Sequence, residues 1–299
     1  MSRALLACLL LAACGSRDAE RRGDEAYVAG RFADAHAAYQ AGRDDGSGQL
    51  HAKAAAAAMR AGMADSAIAA WLRVVEADPA RSAEAADGLE SIARIAVRER
   101  SLATLRRAIG ALGLVAPERP VGRHALALLS GAEVDDEEAI RLLPGALAAA
   151  PAGTAFDSLM LRFGRALAAA GRCDEATDAY RAVLRRTGDS ARRTLAAREL
   201  SACALRLGQS ALEAGRAVDG DRWFGLAARL DSGSAVGRRA LLGMGDARVA
   251  VGDTIAAVIV WQRLADEAGT DDSTGLMAAA RLRALGVTDS AGDSTRMRE

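Results

Sequence analysis

Gly171-Arg172-Cys173-Asp174-Glu175-Ala176, with Tyr180 four residues beyond the Ala, is the stretch whose reading decides the fold of this 299-residue chain. The same cadence opens at Gly30 and runs to Ala35 and Tyr39, opens at Gly62 and runs to Ala67 and Trp71, and opens at Gly252 and runs to Ala257 and Trp261. Each instance reads as helix, turn, helix. The Gly ends the first helix, because a residue without a Cβ enters the left-handed backbone region at little cost. Acidic residues after it fall in the first turn of the second helix, where free N–H groups and the helix dipole favour negative charge. The small Ala allows two helices to approach, and the aromatic one turn later shares its face. A unit of this kind cannot bury its apolar face alone, so copies must stack.

Several units carry a further glycine inside the first helix, at Gly23, Gly164, Gly208 and Gly245. A helical Gly costs about 1 kcal/mol against Ala, and a close crossing of the two helices is the natural reason for it. With these residues in view, the chain resembles the tetratricopeptide repeat family. Phe163-Gly164 leads to Gly171, Ala176 and Tyr180; Ala67 and Trp71 lead to Pro79; Ala139, Ala146 and Leu147 lead to Pro151. Leu207-Gly208 leads to Gly215, Phe224, Ala227 and Asp231, with Gly220 standing where the family has its small Ala. The stretch around Leu102 to Ile109 has helical periodicity without the motif and reads as a degenerate unit. The resemblance spans roughly residues 20 to 270, about seven units 34 to 44 residues apart.

It implies an all-α fold, a right-handed α-solenoid of about seven helical hairpins with a C-terminal capping helix. The expected organisation is a signal peptide over 1–13, a lipidated Cys with a short tether over 14–22, and the solenoid over 23–270. A cap over 271–286 and a flexible tail over 287–299 follow. Two departures are expected. Pro144 should kink or split the helix starting at Asp136. The stretch from Asp189 to Ala214 has few breakers and should form one long helix.

Hydrophobic residues make up 51% of the chain but aromatics only 3%, so Ala supplies the packing, as suits close helices. The 39 basic and 39 acidic residues cancel, which leaves no basic field for nucleic acid. At the amino terminus, an apolar run from Ala4 to Ala13, too short to span a bilayer, ends in Leu11-Ala12-Ala13-Cys14-Gly15. This resembles the bacterial lipoprotein signal, with Cys14 as the lipidated residue and the membrane reached through that anchor. Gly15 is not the Asp associated with inner-membrane retention, so an outer-membrane lipoprotein facing the periplasm is the expectation.

Cys173 and Cys203 could pair in an oxidising compartment. Our reading sets Cys203 level with the far end of the helix that Cys173 opens, roughly 20 Å away, beyond the ~7 Å reach of a disulfide. Two free, packed thiols are expected. His36, His51 and His124 have no ligand spacing, so no metal is expected, and no cofactor either. No nucleophile elbow or phosphate-cradling loop appears, which argues against an enzyme. The run Asp135-Asp136-Glu137-Glu138 suits a helix start better than a calcium loop. Trp71, Trp223, Phe224 and Trp261 fall at packing positions. Helical periodicity puts Leu161, Arg165, Leu205, Gln209, Leu242 and Asp246 on the exposed groove face of the first helices.

The expected function is a non-catalytic, lipid-anchored scaffold at the bacterial cell envelope that holds a protein or an extended peptide in the concave groove. Outer-membrane, pilus and cell-wall assembly are the settings that the resemblance implies. One alternative is a subunit that binds cell-wall glycan or assists an envelope enzyme. Another, if the signal is false, is a soluble cytoplasmic adaptor.

Overall fold

The computed structural model describes residues 17–42, 47–268 and 273–287. Cys14 and the segments expected as signal peptide (1–13) and as most of the tail (288–299) lie outside the described residues. Among the described residues the chain is helical, with no strand. Helix α1 spans 17–28 and is followed by α2 (Phe32–Ala41), α3 (Gly48–Arg60), α4 (Ala64–Ala77), a short 3-10 turn (Pro79–Arg81), α5 (Ser82–Glu99) and α6 (Leu102–Val115). Then come α7 (Gly122–Gly131), α8 (Asp136–Ala149), α9 (Thr154–Ala169), α10 (Cys173–Arg186) and α11 (Ser190–Glu213). The last are α12 (Ala217–Leu230), α13 (Ala235–Ala250), α14 (Thr254–Ala268) and α15 (Ser273–Ala284). Residues 17–22, expected as tether, are helical, and Ala19 is buried there.

Two compact units are present. The first comprises residues up to Val134 with Leu142–Ala150, and the second Asp135–Arg141 with the chain from Pro151 onward. In unit one α2 to α7 each pack on the next helix in sequence, and in unit two α9 to α15 do, which makes antiparallel pairs of the helices joined by tight turns. First helices of successive pairs also touch: α3 with α5 and α5 with α7 in unit one, α9 with α11, α11 with α13 and α13 with α15 in unit two. Helical hairpins stacked through their first helices are the expected solenoid element. Helix α15 packs on α13 and α14, as a cap does.

The tight turns explain themselves. Gly30, Gly62, Gly171, Gly215 and Gly252 all have φ between 72° and 88°, the left-handed region. At the α5–α6 turn the same job falls to Arg100, with φ 56°. Hence the hairpin at Leu102 is regular in space although its sequence lacks the motif. Pro144 does not split its helix, since α8 continues through it to Ala149. The division between the units falls inside α8, between Arg141 and Leu142. Helix α11 is the expected long helix, at 24 residues, and Asp189 caps it by accepting the Arg192 N–H at 3.0 Å.

The cysteine expectation is overturned. Cys173 and Cys203 form a disulfide with a Cα–Cα distance of 5.2 Å, and both are buried. Helix α10 climbs thirteen residues from Cys173 to Arg186, and α11 descends thirteen from Ser190 to Cys203. In an antiparallel pair equal rise and descent bring the second Cys back beside the first. The expected separation of roughly 20 Å fails because it counts the rise along α10 without the equal descent along α11.

Candidate functional site

In unit one, helix α5 divides cleanly by periodicity. Leu89, Ile92, Ala93 and Ala96 are buried, while Arg94, Val97 and Arg98 are exposed on the opposite stripe. Two open depressions flank that stripe. One, of about 430 Å³, lies where the α3–α4 turn meets the end of α5, and is lined by Met59, Arg60, Ile95, Arg98 and Glu99 among others. The second, of about 520 Å³, lies between α5 and the start of α7, lined by Glu90, Arg94, Val97, Arg98, Arg123 and His124 with Pro120. Arg98 borders both.

The charges here are unevenly paired. Arg119 takes the nearby carboxylates of α5, with its Nη1 2.6 Å from Asp87 Oδ1 and 3.5 Å from Glu90 Oε2. Arg94 donates to Ser91 Oγ at 2.9 Å. Among the described residues, Arg94, Arg98 and Arg123 have no carboxylate partner. His124 is half-buried; burial pushes its pKa below the ordinary value, Glu90 opposes this, and Arg123 and Arg94 add to the lowering. The imidazole is therefore neutral near pH 7, and the positive charge of this face is guanidinium charge.

The residues expected on the groove face lie in unit two and divide into two sets. Leu161, Leu205 and Leu242 are buried at 6%, 8% and 8% exposure, each within an apolar cluster. They are core residues, because the packing of α9, α11 and α13 on one another covers the side of each helix that they occupy. Their partners one turn on are accessible or paired. Gln209 is exposed. Arg165 Nε donates to Glu199 Oε1 at 3.0 Å, and Asp246 accepts from Arg281 Nη2 at 2.9 Å. These two ion pairs tie first helices of adjacent hairpins, α9 to α11 and α13 to α15.

What identifies the hairpins is the seat of each aromatic. A Cβ built on Gly164 would lie 2.6 Å from Tyr180 Cε1, and one on Gly208 2.7 Å from Phe224. Gly23 seats Tyr39 and Gly245 seats Trp261 at still closer range. In each case a first-helix glycine receives the ring carried four residues after the small residue of the second helix. The fold is of the tetratricopeptide type. No protein-family model matches the chain, and neither does any curated protein sequence. Among solved structures it is similar to PilW, a type IV pilus biogenesis factor (16% identity, 77% of this chain, 97% of that one, TM-score 0.31). It is also similar to the TPR2AB domain of yeast Sti1 in a pHSP90 complex (16% identity, 91% and 96%, TM-score 0.28). A third is the C-terminal part of a TPR repeat-containing protein from Cytophaga hutchinsonii (11% identity, 86% and 98%, TM-score 0.35).

Other aromatics depart from the simple repeat rule. Trp71 seats against Gly88, on the first helix of the next hairpin. Trp223 is partly buried against the core cluster of α11 to α13, with its accessible part beneath the Arg181 guanidinium, 5.7 Å from the ring centre, in a depression of about 370 Å³ shared with Asp219, Arg222 and Arg229. That depression lies on second helices of the repeats. His36 is buried and donates from Nδ1 to the Ala54 carbonyl at 2.9 Å, a packing role. Among the described residues, no group of three or more His, Cys, Asp or Glu side chains is placed to hold a metal ion. No described helix is long and apolar enough to cross a membrane.

The arginine face of unit one was missed from sequence. The spacing Arg94, Arg98 is visible there, but a pair of arginines on an exposed helical stripe is ordinary. Only the capture of Asp87 and Glu90 by Arg119, from 29 to 32 residues away, leaves that pair without an ion-paired carboxylate among the described residues.

Proposed function

We propose that the protein is a non-catalytic scaffold of the bacterial cell envelope, held by a lipid on Cys14, that grips a protein partner or an extended peptide on the first-helix face of its repeats. The observation that carries the binding half is the pair of open depressions on either side of Arg98, bordered by Arg94, Arg98 and Arg123, which are accessible and have no carboxylate partner among the described residues. Shallow, open, mixed apolar and charged grooves suit a polypeptide better than a small molecule, which favours an enclosing pocket. The Cys173–Cys203 disulfide supports export, since such bonds persist in oxidising compartments and are rare in the cytosol. It is independent of the amino-terminal reading, and the two together disfavour the cytoplasmic adaptor.

Brief crosslinking in cells followed by capture of the full-length protein, with Cys14→Ser alongside, tests both halves. A dominant partner protein captured only by the wild type, and release of Cys14→Ser from the membrane fraction, are the expected results. Equal membrane retention of Cys14→Ser would remove the anchor. Trp223 beside Asp219 and three arginines favours a second reading, in which the protein engages cell-wall glycan through a partly accessible ring and polar neighbours. Retention on isolated cell wall that is lost in Trp223→Ala, with no captured protein, would establish that reading instead.

A further inference from the structure

The guanidinium groups of Arg94, Arg98 and Arg123 point to a particular occupant, and we propose that the first-helix face of unit one binds an extended acidic peptide segment with carboxylates at alternate positions. This rests on the scaffold reading above and specifies the chemistry of the ligand.

The argument begins with charge. Three guanidinium groups border the depression between α5 and α7, and the one carboxylate among its lining residues, Glu90, is shared with Arg119. A ligand that brought no negative charge would leave the three without counter-charge when it excluded water. A carboxylate meets the planar guanidinium fork with two parallel hydrogen bonds, which is the strongest recognition this group offers.

Spacing then chooses the arrangement. Arg94 and Arg98 are four residues apart on one helix, so they stand roughly 6 Å apart along α5. In an extended peptide, side chains on one side recur at about 6.7 Å. Carboxylates at positions i and i+2 therefore match Arg94 and Arg98. Arg123, carried by a helix packed at about 8–10 Å from α5, takes a carboxylate displaced across the groove. Arg98 borders both depressions, so it sits where a peptide crossing from one to the other must pass.

The apolar lining argues for a peptide over nucleic acid. Met59 and Ile95 on one side and Val97 and Pro120 on the other lie among the charges. That mixture receives the intervening side chains of a polypeptide. A nucleic acid would seek a longer basic track with aromatic stacking platforms.

The test is fluorescence anisotropy on the full-length chain with a labelled (Glu-Ala)6 peptide, beside (Gln-Ala)6 and a labelled dT12 oligonucleotide. The expected result is saturable binding of (Glu-Ala)6 that weakens with salt, with little binding of the other two. Arg98→Glu should weaken it at least tenfold, Arg94→Glu and Arg123→Glu by less, and Arg98→Lys should retain part of it. Arg283→Glu, exposed on α15 of unit two, should leave it unchanged. Arg98 is exposed, so its variants should keep the wild-type melting curve, which separates lost binding from lost folding. Equal binding of (Gln-Ala)6, tighter binding of dT12, no binding of (Glu-Ala)6, or an Arg98→Glu curve that overlays the wild type would each overturn the proposal. The two readings fail separately. If wild type and Arg98→Glu capture the same partner in cells, the scaffold stands and this groove assignment falls. If neither captures a protein, the scaffold itself falls.

Discussion

Arg100 holds a backbone conformation that five glycines hold at the corresponding turns of other hairpins. The left-handed region costs a residue with a Cβ roughly 1–2 kcal/mol. Arg100 is exposed, so its side chain has little packing to lose. Arg100→Gly should therefore stabilise the protein by about 1 kcal/mol, seen as a higher urea midpoint with an unchanged slope. Tyr180 offers a second test. It is fully buried, and no described group bonds to its hydroxyl, whereas the Tyr39 hydroxyl donates to Asp24 Oδ1 at 2.7 Å. Burial pushes the Tyr180 phenol above its ordinary range. Tyr180→Phe should be neutral or stabilising by about 1 kcal/mol, while Tyr39→Phe should lose about that much. A loss of stability at Tyr180→Phe would mean that its hydroxyl is bonded. Both aromatics were legible as packing residues; the difference between their hydroxyls was not, because it depends on a carboxylate fifteen residues from Tyr39.

At the scale of elements, the close crossing of paired helices makes two glycine substitutions opposite in sign. Gly110, inside α6, has open space where a Cβ would stand, so Gly110→Ala should gain about 1 kcal/mol from helix propensity. Gly164 has Tyr180 there, so Gly164→Ala should lose about 1–2 kcal/mol, the overpacking exceeding the same propensity gain. Denaturant melts of both variants would decide it, and a gain at Gly164 would mean that α9 and α10 separate freely. The first three helices are joined differently. Lys53 on α3, the only Lys in the chain, donates to Glu20 Oε1 at 2.7 Å and to Asp24 Oδ1 at 2.9 Å, both on α1. Burial raises the Asp24 carboxyl, but hydrogen bonds from Lys53 and Tyr39 outweigh it and hold the group below its ordinary value. Burial likewise lowers Lys53, and its bonds to Glu20 and Asp24 outweigh that and raise it. The Asp24 contribution is thus complete above the ordinary value of 3.8 and fades as pH falls through the lower folded one. That of Lys53 is complete below 10.5 and fades as pH rises through the higher folded one. These groups are partly exposed, so the network is worth about 1 kcal/mol after screening. Wild type should lose amide protection in α1 as pH falls below 3.8, and Lys53→Met should lessen that loss, the Tyr39 bond to Asp24 keeping the remainder.

For the whole molecule, a stack of repeats is stabilised mainly between neighbours, so damage stays local. Cys173 and Cys203 close a loop 30 residues long in separation, worth about 3–4 kcal/mol by the loop-entropy estimate. Reduction should lower amide protection in α10 and α11 while α3 and α4 keep theirs, as hydrogen exchange with and without reductant would show. Uniform loss would mean that the chain unfolds as one body. The hairpins, their glycine turns, the long α11 and the close crossing at Gly23, Gly164, Gly208 and Gly245 could be read from sequence, because each rests on residues a few turns apart whose types are forced by backbone geometry and packing volume; that a ring fills each crossing could not. Tertiary structure alone decided the disulfide, the burial of Leu161, Leu205 and Leu242, the partial exposure of Trp223 and the arginine face around Arg98. Each depends on which surface a neighbouring hairpin covers or which carboxylate a distant arginine takes, and periodicity along one helix carries no information about its neighbours.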